Sequence, residues 1–171
     1  MLQSLRSLAF RSSSRIATQA SRVAVYYDFA ESCHREKVES VFDIGANRGQ
    51  FASRLRMAGW KGRIYSFEPL SEMHARLAAV AAKDPEWVVA DRIALGDILG
   101  LQPLNVASND GKSSSLLQAE PGGELYGSAF EFVRTEEVHV VPLDNWVGAA
   151  APEAPFAIKI DVQGFELHVL N

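Results

Sequence analysis

Two acids, each closing an apolar run and separated by glycines, are the residues of this chain best suited to chemistry. The stretch Asp43-Ile44-Gly45-Ala46-Asn47-Arg48-Gly49-Gln50-Phe51 lies where a β-branched run turns into a helical pattern. That junction is the edge at which doubly wound sheets bind ligands. Gly45 and Gly49 permit a turn whose backbone approaches a ligand closely, and Asp43 at the strand end suits a cationic amine. The spacing is not the G-x-G-x-x-G that makes room for a pyrophosphate, which argues against a dinucleotide oxidoreductase. Glu68 closes the next apolar run, 25 residues after Asp43, where an acid can accept both hydroxyl hydrogens of a ribose. Taken singly, the first motif is also a plain strand-to-helix turn and Glu68 a solvated loop acid. Taken together, they suit a nucleoside joined to a positively charged amino acid.

These groups need a scaffold of alternating elements. VESVFDI (38–44) reads as a buried strand. A helix is expected from Asn47 to Ala58, ended by Gly59. GRIYSFEP (62–69) reads as a second strand, and Ser71 as the cap of a helix reaching about Ala82, with Met73, Leu77 and Val80 or Ala81 inward. WVVADRIAL (87–95) supplies a third strand with its exit loop. This order predicts parallel strands joined by right-handed crossovers. LQPLNVAS (101–108) and EEVHVVPL (136–143) read as extended segments around the polar loop Asn109 to Thr135, and AAAPEAP (149–155) as a short loop. FAIKIDV (156–162) is a fourth long buried strand, with a helix from Phe165 to Leu170.

The 171 residues suit one domain with a core of its own. A single cysteine, Cys33, excludes an internal disulfide and a cysteine-based zinc site. No compact set of metal ligands is visible, so a metal requirement stays undetermined. No run reaches the roughly 18 apolar residues of a membrane-spanning helix. Residues 1–27 hold four arginines and no acid, while the remainder carries 13 basic and 21 acidic residues. That acidity argues against nucleic acid as a partner. The segment 1–37 is read as a basic helical leader and 38–171 as the domain proper. Residues 1–27 form either an amphipathic helix lying on the domain or on an anionic membrane surface, or a mitochondrial transit peptide. A cytoplasmic location is expected, with mitochondrial or peripheral-membrane location following from those other readings.

VFDIGANRGQF, YSFEP, IALGD, SNDGKSSSL, VPLDNW and IKIDVQGFELHVL follow one another from Val41 to the C-terminus. In this order and spacing they resemble the FkbM family of methyltransferases. The resemblance implies a Rossmann-like class I methyltransferase fold, a three-layer α/β sandwich around a mainly parallel sheet. It implies S-adenosylmethionine as cofactor and methylation of a hydroxyl on a sugar or small metabolite, so that the partner is a small-molecule or glycan acceptor. By position, Asp43, Gly45, Ala46, Asn47 and Gly49 would line the methionine end, with Phe51 packed beneath. Glu68 would hold the ribose and Pro69 shape the next turn, while Asp91, Ile93 and Ala94 would meet the adenine. Asp91 could equally cap its loop.

Lys159, Asp161, Gln163 and Glu166 crowd the end of the fourth long strand, the position that faces the methyl group in this fold. Asp161 is the candidate general base or orienting group for the acceptor, with Lys159 beside it. Strand alternation also allows Lys159 and Asp161 to be a plain ion pair on one face. Gln163 and Glu166 are candidate substrate contacts. So are Ser114 and Ser115 of the serine-rich loop, which are equally readable as a solvated turn after Asp110-Gly111. His74, His139 and His168 are alternative bases, better explained as surface or packed residues.

Family members continue beyond IKIDVQGFELHVL, so the expectation is a domain whose C-terminal strands are missing. FAIKI would then be an exposed edge open to self-association or a partner chain. The alternative function is an inactive S-adenosylmethionine-binding remnant or assembly module.

Overall fold

The computed structural model describes residues 23–107 and 132–171. A helix, α1, covers residues 23–35. There follow β1 (Ser40–Ile44), α2 (Gln50–Met57), β2 (Arg63–Phe67), α3 (Ser71–Ala81) and β3 (Trp87–Val89). After them come β4 (Ile93–Leu95), β5 (Gly100–Ala107), β6 (Phe132–Val141), α4 (Leu143–Ala150), β7 (Phe156–Ile160) and α5 (Glu166–Leu170). No helix among the described residues is long and apolar enough to cross a membrane.

Four strands form one parallel sheet in the order β3-β2-β1-β7. Every residue of β1 is buried, as a strand covered on both faces must be. Alternation along β1 sends Val41 to one face and Phe42 and Ile44 to the other. Val41 joins Ala30 and Cys33 of α1, Ala52 and Leu55 of α2 and Leu77 of α3. Phe42 and Ile44 join Tyr65 and Phe67, covered by Trp146 of α4 and Val169 of α5. The result is a three-layer α/β sandwich. Trp146 meets Phe42, Tyr65 and Phe67 at centroid distances of 5.6, 5.2 and 4.7 Å, each edge to face, an arrangement favoured by the ring quadrupoles.

A second sheet, β4-β6-β5, pairs β4 parallel and β5 antiparallel to β6. Its Leu104, Val106, Val138 and Val140 pack with Leu70, Met73 and Ala94. The apolar stripe of α3 therefore meets the second sheet at its first turn and the core of the first sheet farther along, through Leu77 and Ala81. Pro103 lies in β5, which is an edge strand among the described residues, the place in a sheet where proline is tolerated.

Several expectations are revised. The helix expected from Asn47 starts at Gln50, because Asn47 at φ 50° and Gly49 at φ 79° keep the chain in a turn. Ser71 is the first helical residue of α3 rather than its cap; Leu70 is the N-cap and makes no side-chain bond. The Ser71 amide instead donates to Glu136 Oε2 over 3.0 Å. The 87–95 segment splits between the sheets as β3 and β4, with Asp91 in the turn between them. LDNWVGAA forms α4, a helix not expected from the sequence, which ends an extended segment at Leu143 and starts a loop at Ala149. Residues 1–22 and 108–131, including Ser114 and Ser115, lie outside the described residues.

Candidate functional site

In the order β3-β2-β1-β7 the chain moves outward from β1 to β3 and then returns to the other side of β1. The loops leaving β1 and β7 therefore diverge at a topological switch point, where open α/β sheets form their ligand crevice. Three backbone bonds tie the β1 exit to the ends of β2 and β7. The amides of Gly45 and Ala46 donate to the Phe67 carbonyl over 3.1 and 3.0 Å, and the Asp161 amide donates to the Ile44 carbonyl over 3.0 Å. Gly45 has no substitute here: its φ is +72° and a Cβ would stand 2.0 Å from the Asp161 carbonyl oxygen. At Gly49, φ +79°, a Cβ would stand 2.7 Å from the Trp87 ring.

The register pairs Asp43 directly with Lys159, so their side chains leave the same face of adjacent strands. Lys159 Nζ lies 2.9 Å from Asp43 Oδ1, and Asp43 is 0 % exposed. Neither oxygen of that carboxylate has a well-directed hydrogen bond among the described residues, so the contact is an ion pair set more by position than by alignment. Burial raises the Asp43 pKa, and the Lys159 ammonium opposes the shift. The same ammonium donates to the Gly45 carbonyl over 3.0 Å and to the Ile44 carbonyl over 3.3 Å. Lys159 is thus fully engaged in tying β7 to the β1 exit. Asp161, two residues on, is not its partner; Asp161 Oδ1 accepts from Gln163 Nε2 over 2.7 Å.

Glu68 is 4 % exposed. Its Oε2 accepts the Asn47 amide over 2.8 Å and its Oε1 the Leu70 amide over 2.9 Å. One carboxylate therefore clamps the exits of β1 and β2. Burial pushes its pKa up to about 7, against the two backbone N–H groups. An ionised carboxylate offers about four lone-pair sites, so two remain for further donors.

A cavity of about 590 Å³ opens over these loops, within the range of small-molecule sites. Of the residues singled out in the sequence, Gly45, Ala46, Asn47, Phe51, Glu68, Pro69, Ile93, Ala94, Lys159, Asp161 and Gln163 line it. Asp43, Gly49, Asp91 and Glu166 do not. Asp43 lies in the sheet below, Gly49 is the N-cap of α2, and Asp91 is exposed in its turn. Glu166 folds back to accept the Val162 and Gly164 amides over 3.2 and 3.0 Å, bracing a turn in which Gln163 takes φ 54°.

Tyr26, Arg54, Leu104 and Phe165, which no motif in the sequence marks as site residues, also line the cavity. Phe165 seats its ring over Gly96, where a Cβ would stand 2.8 Å from it. Gln50 and Arg54 share a face of α2 by their i, i+4 spacing, a signal that was available. Nothing in the sequence brings Tyr26 there, because its place depends on α1 docking: the ring lies 5.8 Å from Phe51, and Phe51 lies 5.5 Å from Phe29. Among the described residues no group of three His, Cys, Asp or Glu side chains could hold a metal ion.

No curated protein matches the chain. A family model described as the methyltransferase FkbM domain matches residues 43–171, from the buried acid of β1 to the last residue. The glycine turn, the Glu68 clamp and the β7 exit all fall within that match, and the chain belongs to the FkbM methyltransferase family.

Proposed function

We propose that this protein is an S-adenosylmethionine-dependent O-methyltransferase acting on a hydroxyl of a sugar or small metabolite. The observation that carries the reading is the Glu68 clamp at the cavity wall. Its carboxylate already holds the two loops that would bracket a nucleoside, and it keeps two acceptor positions for ribose hydroxyls. The cavity is large enough for the cofactor, and the Gly45 turn brings bare backbone to its floor. Ile93, Ala94 and Leu95 supply an apolar wall for the adenine, with Phe165 near it.

S-adenosylmethionine, when bound, supplies a methyl group already activated by its sulfonium. What remains for the protein is chiefly to bind, orient and exclude water. Asp161 lines the cavity at the switch point, where its carboxylate would orient the acceptor hydroxyl and take its proton. Gln163 holds that carboxylate in place. Lys159 acts indirectly, by neutralising Asp43 and fixing the Gly45 carbonyl.

Calorimetry with S-adenosylmethionine and S-adenosylhomocysteine tests the cofactor half. Saturable binding that Glu68→Ala abolishes is expected, and no binding by a folded protein would remove the reading. For the acceptor half, Asp161→Asn should lower methyl transfer on the order of a hundredfold or more while cofactor affinity changes little. A second reading is a cofactor-binding module that associates through β7, which has only β1 as a strand partner among the described residues. It predicts oligomers without turnover, and a methylating monomer would eliminate it.

A further inference from the structure

Arg54 and Tyr26 stand together on the cavity wall. Arg54 Nη1 donates to the Tyr26 hydroxyl over 2.9 Å, and the guanidinium carbon lies 5.5 Å from the Tyr26 ring centroid. The ring is held in turn by Phe51, so the guanidinium is steered by an aromatic wall rather than free in solvent. No carboxylate pairs with Arg54 among the described residues. By contrast, Arg35, Arg56, Arg63, Arg76, Arg92 and Arg134 each have an acidic partner. Lys159, another cation on this wall, is occupied by Asp43 and two carbonyls. Arg54 therefore brings a planar fork of donors, without an acid to match it, to a cavity that also contains Glu68 and Asp161.

Its place along the cavity narrows the ligand. Glu68 follows β2, on one side of β1, whereas Phe51, against which Tyr26 packs, has its ring centroid 5.7 Å from Lys159 Nζ on the β7 side. A ligand with its ribose at Glu68 and its chain passing over Gly45 ends near the Arg54–Tyr26 pair. A guanidinium accepts a carboxylate in two parallel hydrogen bonds, which an ammonium cannot match.

We propose that Arg54, oriented by Tyr26, binds the α-carboxylate of the cofactor's methionine group. The inference rests on the S-adenosylmethionine reading above. The test is calorimetry of the full chain with S-adenosylhomocysteine and with its decarboxylated analogue, the thioether that lacks only that carboxylate. The wild type should prefer S-adenosylhomocysteine by on the order of tenfold or more. Arg54→Gln should erase that preference, weakening S-adenosylhomocysteine by the same factor and leaving the analogue unchanged. Tyr26→Phe, which keeps the ring and removes the orienting hydroxyl, should lower the preference roughly threefold. Arg54 is exposed on its helix and Gln is a comparable helix former, so the variant should melt with the wild type. Equal losses for both ligands would mean a merely structural role, and no loss for either would mean no contact; each overturns the assignment. Wild-type protein that binds neither ligand would refute the cofactor reading itself, and the Arg54 assignment with it.

Discussion

Replacing Glu68 by Gln isolates the group on which the cofactor reading depends. In the folded protein burial raises the Glu68 pKa from 4.5 to about 7. A carboxyl with a raised folded pKa contributes stability that is complete below its unfolded value and is lost as pH rises through the folded one. The window is therefore pH 4.5 to about 7. The displacement corresponds to about 3 kcal/mol, of which roughly 2 kcal/mol is gone by pH 6. Glu68→Gln cannot ionise, so this dependence should vanish. The amide carries one acceptor oxygen against the two backbone N–H groups of Asn47 and Leu70, leaving one unpaired at about 1–3 kcal/mol. Urea unfolding from pH 4.5 to 8.5 measures both effects. The variant should begin less stable than the wild type in acid, and the gap should close or invert above pH 7. Cofactor affinity runs the opposite way, because an ionised carboxylate accepts ribose hydroxyls more strongly than its protonated form does. It should fall as pH drops below about 7 in the wild type and level off above. A stability difference between the two proteins that stays constant from pH 4.5 to 8.5 would refute the buried, titrating clamp.

Lys159→Met leaves the Asp43 carboxylate buried without its countercharge and should destabilise by about 3–5 kcal/mol, with urea midpoints showing a smaller loss in acid as Asp43 protonates. Adding Asp43→Asn should recover part of that loss, and additive single effects would argue against the pair. Gly45→Ala forces a Cβ onto the Asp161 carbonyl at positive φ and should lower stability by at least about 2 kcal/mol. Ligand binding should disappear at temperatures where circular dichroism still reports a folded protein. Arg56 pairs with Asp84 over 2.7 Å and donates to the carbonyls of Trp60, Gly62 and Glu86. Arg56→Ala should cost about 3 kcal/mol in thermal unfolding, with affinity for S-adenosylhomocysteine unchanged, and Arg56→Lys should rescue little because a point charge cannot reach all four acceptors.

Local chemistry was enough for much of the fold. The strands at 38–44 and 62–69 were legible because strands buried on both faces are written as continuous apolar runs, and their glycine and proline stops are local signals. FAIKIDV carries the same apolar run and forms a strand, but the buried position expected for it does not hold. β7 is only partly buried, with Phe156 38 % exposed, and has only β1 as a strand partner among the described residues. The helix LDNWVGAA was not. Five of its eight residues are small or polar, it has no buried position, and it is held chiefly by Trp146 lying on Phe42, Tyr65 and Phe67, residues far earlier in the chain. The break at Asp91 was equally hidden, because only sheet pairing distinguishes one strand with an exit from two strands in two sheets.

The sequence by itself determined which residue types meet at the site: a glycine turn after one apolar run, an acid after the next and a charged cluster after the last, each fixed by its neighbours along the chain. Only the tertiary structure decided which of them touch. Register set Lys159 opposite Asp43 and left Asp161 facing the cavity, a choice that strand alternation could not make because both residues share one face. The docking of α1 brought Tyr26 to Arg54 across 28 residues. Contacts between neighbouring strands and docked helices depend on how whole elements pack, and no local spacing encodes that.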